Sequence, residues 1–318
     1  MAISRNIKPD RGLTYRMLMT GFFMVVLYVV FIGILFALLK SLALVLVIAF
    51  ALLFAQFWFS DKIAMYAMHA KEVTPEQAPE LHGVVDRLCA LADMPKPRVA
   101  IATTDVPNAF ATGRSPKAAV VCCTTGLLRR LDEPEVEAVL SHELSHVAHR
   151  DVAVMTIASG LGMLAGLLTR VMFYSELFGG MGGRGGRGGN QQSQAALIEM
   201  MIMLVSVVVY FISFLLTMAL SRYRELSADR SGALLIGRPS LLASALVKIT
   251  GEMGRIPTKD LRAAEPFNAF FFAPAVAQGA TQGGGGGFSF GQLFRTHPTL
   301  EKRLAQLEQL ERQLGQAS

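Results

Sequence analysis

Residues 142–146 read HELSH, and residues 224–229, later in the chain, read RELSAD. On an α-helix, side chains four residues apart lie on one face, so His142 and His146 can reach one metal ion while Glu143 lies beside it. The preceding residues, PEVEAVL, are helix formers with apolar side chains at helical spacing. The pattern therefore predicts a helix that carries two zinc ligands and the base of a hydrolase.

A catalytic zinc site uses three protein ligands and keeps one position open, so a third ligand is needed. The metzincin pattern requires a glycine three residues after His146 and a histidine six residues after it. These positions hold His149 and Val152, so that pattern is excluded.

Glu225 is the remaining candidate for the third ligand. Asp229 follows one helical turn later, where its carboxylate can accept the outer N–H of a ligand histidine and fix the tautomer. This arrangement is that of a gluzincin. The alternative is a carboxylate on the helix surface, paired with Arg222 or Arg224.

The composition predicts a membrane protein, because 52% of the 318 residues are hydrophobic and only 17% are charged. Residues 17–39 and 41–59 are apolar runs long enough to form a transmembrane hairpin that is retained in the protein. Residues 152–173 and 197–220 are two further apolar stretches. The first contains an arginine and the second a glutamate, so each could instead be a buried helix of a soluble domain.

The distribution of basic residues predicts the orientation in the membrane. Four cationic residues precede the first apolar run and only Lys40 lies in the hairpin turn, which predicts a cytoplasmic amino terminus and a cytoplasmic HELSH segment. Because Glu225 must lie in the same compartment as His142 and His146, the two later stretches must both span or neither. The net charge of +6 is attributed to the flanks of the spans, which favour anionic lipid headgroups, and not to nucleic-acid binding.

The predicted fold is an α-helical integral membrane protein with an α+β zincin-like (gluzincin) catalytic domain, a small β-sheet and four candidate transmembrane helices. Short β-type runs at 98–102, 109–112 and 118–123 predict the sheet. The chain is predicted to begin with a cytoplasmic segment, 1–16, and a transmembrane hairpin, 17–59. The protease domain is predicted in two parts, 60–151 and 221–318, and the second part includes the third zinc ligand and the carboxy-terminal helix. Between them, 152–220 is predicted to hold two apolar helices joined by a glycine-rich loop at 179–194.

Several of these segments together resemble one known family. They are the amino-terminal hairpin, NAFATG at 108–113, SHELSH at 141–146, Asp151, residues 222–229, and His297-Pro298 followed by Arg303. In this order the chain resembles the HtpX-like membrane zinc metalloproteases, which are related to the CaaX prenyl proteases. The resemblance implies a zinc-dependent endopeptidase in the bacterial cytoplasmic (inner) membrane, facing the cytoplasm and degrading misfolded membrane proteins.

The resemblance also implies residue roles. His142, His146 and Glu225 would hold one Zn²⁺ ion, and Glu143 would be the general base. Asn108 and Ala109 would lie on an edge strand that binds an extended peptide by strand addition; the alternative for Asn108 is a turn residue after Pro107. The remaining carried-over residues are two carboxylates that support the ligands, Asp151 and Asp229, and two candidate stabilisers of the transition state, His297 and Arg303. A helix start at His-Pro would also explain His297.

Two other classes of protein remain as alternatives. A catalytically silent membrane adaptor could keep zinc for folding only, although it would not need Glu143. A zinc transporter would need metal ligands inside the apolar spans, which contain essentially none, and a CaaX prenyl protease would be expected to have more than four spans. The expected partners are unfolded or misfolded membrane proteins and membrane lipid, without nucleic acid. The sequence leaves the oligomeric state open.

Overall fold

A computed structural model of the chain describes residues 10–38, 42–179, 189–253 and 297–317. It confirms the predicted helix-rich fold with a small sheet. In chain order the elements are α1 Arg11–Leu38, α2 Leu42–Trp58, α3 Ser60–Ala67, β1 Ala70–Glu72, α4 Pro79–Ala92, β2 Arg98–Ala102, β3 Ala109–Thr112, β4 Val120–Thr124, α5 Thr125–Arg130, α6 Glu133–Ala148, α7 Asp151–Gly179, α8 Gly189–Ile236, α9 Pro239–Met253 and α10 Leu300–Ala317.

The chain folds as two compact units, one of which is made of Thr14–Gln56 and Val154–Leu220. This helical unit has a core of buried apolar side chains, among them Phe31, Leu161 and Ile202. Many of its other large apolar side chains are exposed, as expected for helices that face lipid rather than water; they include Phe22, Phe23, Phe36, Phe50, Phe54, Leu204 and Phe211.

Three helices are long and apolar enough to cross a membrane: Arg11–Ala37, Asp151–Phe173 and Leu197–Ile236. The fourth predicted span corresponds to α2, which has 17 residues and contains the shorter apolar stretch Ala49–Trp58. The described part of the chain therefore contains three candidate spans and one shorter apolar helix.

The glycine-rich loop predicted at 179–194 differs from the structure at its carboxy-terminal end. Residues 189–194 already belong to α8, and 180–188 lie outside the described residues. The predicted division at 221 coincides with the boundary between the two compact units at Leu220 and Ser221, and α8 runs through it without a break for 48 residues. Its last residues continue the helical period of the apolar stretch, so Glu225 lies on the same helix as that stretch.

The second unit contains Phe57–Ala153 and Ser221–Ser318 and is built around a four-stranded sheet in the order β1-β2-β4-β3. Strands β2 and β4 are parallel, whereas β1 and β3 pair antiparallel with their neighbours. The three-residue β1 was not predicted. Strand β3 is the outermost strand on its side of the described sheet.

The sheet is buried on both faces. Cys123 belongs to the core cluster that includes residues of α4 and α6, and Cys122 to a separate cluster with Ala64 and Phe110. Burial raises the pKa of Cys122 to about 12 and raises that of Cys123 well above the ordinary value of a thiol. Both thiols are therefore inert, and adjacent strand residues point to opposite faces as predicted.

Helix α6 lies in the main core and carries the HELSH segment. Leu140 and Leu144 are buried in a cluster with residues of α4, α9 and α10, and burying each such leucine contributes about 1.5–3 kcal/mol. Asp132 and Glu135 form a capping box at the start of the helix. After α6 ends, Arg150 adopts a left-handed conformation with φ of 56°, and Asp151 begins α7.

Candidate metal centre

Three side chains converge at one point between α6 and α8. One ligand atom from each of His142, His146 and Glu225 lies within 4.8 Å of the other two. The Nε2 atoms of the histidines are 3.1 Å apart. The Glu225 carboxylate lies 3.8 Å from Nε2 of His142 and 3.4 Å from Nε2 of His146. The site therefore offers two imidazole nitrogens and a carboxylate to one ion.

Each histidine is held at its other ring nitrogen by an aspartate. Nδ1 of His142 lies 2.9 Å from Asp229, and Nδ1 of His146 lies 2.6 Å from Asp151. A carboxylate at Nδ1 accepts the ring proton there, which leaves the lone pair of each Nε2 facing the site. Asp229 therefore has the contact that its spacing from Glu225 predicts.

The structure tests whether a metal ion fits these residues. Two lone-pair nitrogens 3.1 Å apart do not bond to one another. Oxygen Oε2 of Glu225 is buried and meets no hydrogen bond among the described residues, although Nδ1 of His297 lies 3.2 Å away. A cation at this point would satisfy all three ligands, and two histidines with one glutamate is a known catalytic zinc set. The residues present fit the metal.

Both supporting aspartates are paired with buried arginines. Arg303, which is 2% exposed, donates from Nε and Nη2 to the two oxygens of Asp229 at 2.7 and 2.6 Å. Arg224 forms an ion pair with Asp151. These pairs neutralise the buried carboxylates and hold them in a fixed orientation.

The charges at the site act differently on the two histidines. Burial lowers the pKa of His142, and the contact with Asp229 only partly opposes this. Burial also disfavours the charged form of His146, but the contacts with Glu225 and Glu143 raise its pKa overall. Both imidazoles must be neutral to bind a metal ion, so metal binding at this site depends on pH.

Glu143 lies beside the ligands, on the side of strand β3. The backbone N–H of Ala111 donates to Oε2 of Glu143 at 3.0 Å. Burial raises the pKa of Glu143 to about 8, and the electrostatic effect of His146 opposes this rise only in part. The positive charge of a metal ion nearby would favour the carboxylate form. A poised carboxyl held by a strand N–H is suited to moving a proton.

Close contact between α6 and α8 depends on Gly232. A Cβ added to this residue would lie 2.7 Å from the backbone nitrogen of His142, so no larger residue fits without separating the helices. The Ser141 hydroxyl donates to the carbonyl of Gly232 at 3.1 Å. Gly232 lies in the same helix as Glu225, so this contact fixes the third ligand relative to the first two.

The predicted transition-state residues also lie at the site. His297 is buried with Nδ1 3.2 Å from Glu225, and Nη1 of Arg303 lies 3.7 Å from the same carboxylate oxygen. Nε and Nη2 of Arg303 are bonded to Asp229. The roles of His297 and Arg303 in the transition state stay predictions.

The predicted substrate strand is partly corrected by the structure. Asn108 precedes β3, and its backbone N–H and C=O are both bonded to Thr124, at 2.9 Å each. Its backbone therefore cannot receive a peptide. Ala109 lies within β3 opposite Cys123. Because the preceding Asn108 carbonyl is bonded to the N–H of Thr124, the alternation of an antiparallel ladder directs the N–H and C=O of Ala109 away from β4. Its role in binding substrate stays a prediction.

Sequence reasoning did not assign Ala111, Gly232 or the partner of Arg224. The contact of Ala111 runs through its backbone, which no side-chain pattern reveals, and Gly232 matters only because another helix lies against it. For Arg224 a signal existed, since a charge in a buried helix needs a partner. The alternative for Glu225 was a pairing with Arg222 or Arg224, whereas the structure pairs Arg224 with Asp151.

Comparisons with known proteins identify the family. The model of Peptidase family M48 matches residues 75–311. The chain is 56% identical over 312 residues to "Protease HtpX homolog 1" of Streptomyces coelicolor, covering 98% of this chain and 97% of that protein. It is 49% identical over 311 residues to "Protease HtpX homolog" of Moorella thermoacetica, covering 98% of each.

A solved structure has a similar fold. The crystal structure of S. mikatae Ste24p matches with a TM-score of 0.50 at 16% identity, covering 92% of this chain and 66% of that one. At this level of identity the similarity concerns the fold alone. The apolar helices, the cluster that can hold a metal ion and the relatives all agree, and the chain belongs to peptidase family M48 as a membrane-bound metalloprotease.

Proposed function

We propose that the protein is a zinc-dependent endopeptidase of the bacterial cytoplasmic (inner) membrane that cleaves unfolded or misfolded membrane proteins on the cytoplasmic side. The observation that carries this proposal is the convergence of His142, His146 and Glu225, with Glu143 beside them. The donor set favours Zn²⁺ over Mg²⁺ or Ca²⁺, which prefer oxygen ligands alone.

Bound zinc would supply the chemistry of a Lewis acid, lowering the pKa of water and polarising a peptide carbonyl. The residues of the chain perform the proton transfers. Glu143 accepts a proton from the attacking water and donates it to the leaving amine. The N–H of Ala111 holds one oxygen of Glu143, which leaves the other oxygen to carry the proton.

Strand β3 is suited to presenting the substrate to Glu143. The outward groups of Ala109, together with the carbonyl of Ala111, can pair with an extended peptide added along this edge. Such a peptide would run next to the carboxylate that Ala111 holds. Recognition through backbone groups is independent of side chains, which suits a protease that accepts many unfolded proteins.

The cytoplasmic orientation rests on the basic residues before α1 and on the shared compartment of the ligands. If the amino terminus is cytoplasmic and both α1 and α2 cross the membrane, the HELSH segment is also cytoplasmic. Helices α7 and α8, both apolar over the length of a span, then return Glu225 to the same side.

The test compares wild type with Glu143→Gln, both full length and purified in detergent, with zinc content measured for each. The substrates are an unfolded soluble protein and an unfolded membrane protein. We expect zinc in both samples and a loss of cleavage by about 10²–10⁴-fold in the variant. Glu137→Gln is the matched control, because Glu137 lies on the same helix but pairs with Arg87.

Each outcome separates the alternatives. Zinc in both samples without cleavage by either would favour the silent adaptor. Equal cleavage by wild type and Glu143→Gln would refute the base assignment. Absence of zinc from the wild type would refute the ligand set.

A further inference from the structure

Helix α3, directly after α2, has one buried face and one exposed face. Asp61 and Ala64 are buried, and Asp61 pairs with Arg98 at 2.5 Å. The opposite face carries large apolar side chains that are exposed: Ile63 is 49% exposed and Tyr66 is 85% exposed. A short helix does not expose these side chains in water without a cost, so this face fits a less polar surrounding.

Aromatic rings and cations are paired at the amino-terminal end of α3. The guanidinium of Arg114 lies 4.3 Å from the centre of the Trp58 ring, and Nζ of Lys62 lies 5.6 Å from the centre of the Phe59 ring. Trp58 and Phe59 are themselves 42% and 44% exposed. Aromatic side chains with basic neighbours are typical of the interface between a bilayer and water.

The cations of this surface keep their charge available. Among the described carboxylates, none forms an ion pair with Lys62, Arg114 or the exposed Lys117, whereas Arg98 is neutralised by Asp61 and Glu72. The surface therefore has a net positive charge of a kind that attracts anionic headgroups.

Arg114 is fixed to the sheet by the turn after β3. Gly113 has a φ of +134°, and a Cβ there would lie 2.6 Å from the carbonyl oxygen of Ala118. The turn is thus closed by backbone contact. A headgroup bound at Arg114 would hold the end of β3 in place.

We propose that Trp58, Phe59, Lys62, Tyr66 and Arg114 form a seat for anionic phospholipid headgroups at the membrane surface. The occupant is a lipid rather than a soluble partner because the seat continues directly from the apolar helix α2 in a membrane-bound protein. Its charge and its exposed rings match the two parts of a lipid interface. This site is separate from the metal centre and does not depend on the proposed function.

Trp58 is the single tryptophan in the sequence, so its fluorescence reports on the seat without labelling. Full-length protein is reconstituted in nanodiscs that contain phosphatidylcholine and phosphatidylglycerol, and the ratio of the two lipids is the same in every sample. In one sample the phosphatidylglycerol carries bromine near its headgroup, and in the other the phosphatidylcholine does. We expect stronger quenching of Trp58 by the brominated phosphatidylglycerol.

The double variant Lys62→Gln/Arg114→Gln should lower the preference for phosphatidylglycerol by about fivefold for each charge removed, and leave quenching by brominated phosphatidylcholine in place. The conservative variant Arg114→Lys should keep the preference. This result would show that the double variant loses the preference because it lacks the charges and not because it misfolds. Arg129→Gln, which removes an exposed cation on α5 paired with Asp105, is the matched control.

Four results would overturn the proposal. Equal quenching by the two brominated lipids would show no headgroup selectivity. An unchanged preference in the double variant would place the selectivity elsewhere. Loss of the preference on adding inorganic phosphate, at constant ionic strength, would indicate a site for free anions, and quenching by neither lipid would indicate that a protein surface covers Trp58.

Discussion

At the scale of single residues, the metal centre is arranged as two similar series of contacts. In each, a buried arginine pairs with an aspartate, and the aspartate contacts Nδ1 of a ligand histidine. The arginine of one series lies on α8 and that of the other on α10. The ligand nitrogens are therefore oriented before any metal binds, which lowers the entropy lost on binding.

Asp229→Asn tests the importance of this support. The amide keeps the size of the side chain but loses the charge that pairs with Arg303 and holds His142. We expect zinc affinity to fall about 10–100-fold, measured by competition with a chromophoric chelator. Asp86→Asn is the control, since Asp86 is an exposed partner of Lys96. An affinity equal to wild type would show that Asp229 does not position the ligand.

The spacing within HELSH predicts that His142 and His146 can share one ion, and the spacing from Glu225 to Asp229 predicts that Asp229 can support a ligand histidine, because a helix fixes which residues share a face. The structure places those atoms together. The spacing does not reveal Ala111, whose contact comes from a different element, or the partners of the two arginines. Those contacts depend on how α8, α10 and the sheet pack, which no local pattern encodes.

At the scale of elements, the approach of α8 to α6 decides whether the third ligand reaches the first two. Gly232 permits this approach, and Ser141 bonds across it. The helices meet through backbone rather than through long side chains. A small change in their separation therefore moves Glu225 directly.

Gly232→Ala should separate the two helices, because its Cβ would meet the His142 backbone at 2.7 Å. We expect a destabilisation of about 1–3 kcal/mol and weaker zinc binding, measured by thermal unfolding and chelator competition. Gly251→Ala is the matched control, since nothing lies within 4 Å of a Cβ there. It should be neutral or stabilising by up to about 1 kcal/mol. Similar behaviour of the two variants would contradict the packing argument.

The start of α6 should make stability depend on pH. Burial raises the pKa of Glu135, but hydrogen bonds from Lys248 and Ser244 lower it more, so the net shift is downward. A carboxyl with a lowered folded-state pKa adds stability above its unfolded pKa, and that stability is lost as pH falls through the folded value. Wild type should therefore lose this contribution below the ordinary glutamate value of about 4.3.

Glu135→Gln keeps a side chain that can form the capping box but removes the charge. We expect it to unfold more easily than wild type by roughly 1 kcal/mol at neutral pH, with the difference shrinking in acid. Melting curves of both proteins across this range provide the measurement. Glu133→Gln, at an exposed position of the same turn, should show little difference at any pH.

Helices and strands could be predicted from the sequence where their apolar or β-type pattern extends over enough residues. Strands β2 and β3 agree with the predicted runs 98–102 and 109–112, and the apolar stretches agree with α1, α7 and α8. The helical residues 189–194 were not foreseen, because they follow a glycine-rich run and begin with glycine and asparagine, which have weak helix propensity, and the long apolar helix that follows extends through them. Strand β1 has too few residues to show a period.

At the scale of the whole molecule, the metal-binding unit includes two long parts of the chain that are separated in sequence, Phe57–Ala153 and Ser221–Ser318. The ligands come from both parts. A bound ion therefore links segments that the sequence separates by an entire pair of apolar helices, and it should stabilise the unit as a whole.

Zinc at about 1,000 times its Kd should stabilise the folded protein by about 4 kcal/mol, if the unfolded chain binds none. Thermal unfolding in detergent, with and without zinc, measures this effect. Glu225→Ala should abolish most of it, whereas Glu308→Ala, at an exposed position paired with Arg312, should retain it. A zinc effect that survives in Glu225→Ala would indicate binding elsewhere.

The separation of the ligands along the chain also sets the order in which a ribosome supplies them. A growing chain that has passed residue 146 contains both histidines and Glu143, yet it lacks the third ligand until residue 225 is added. The arginine that holds Asp229 follows only at residue 303. The candidate metal centre is therefore completed only after the apolar helices α7 and α8 have been made, and a growing chain that has not reached residue 225 cannot hold an ion through all three residues.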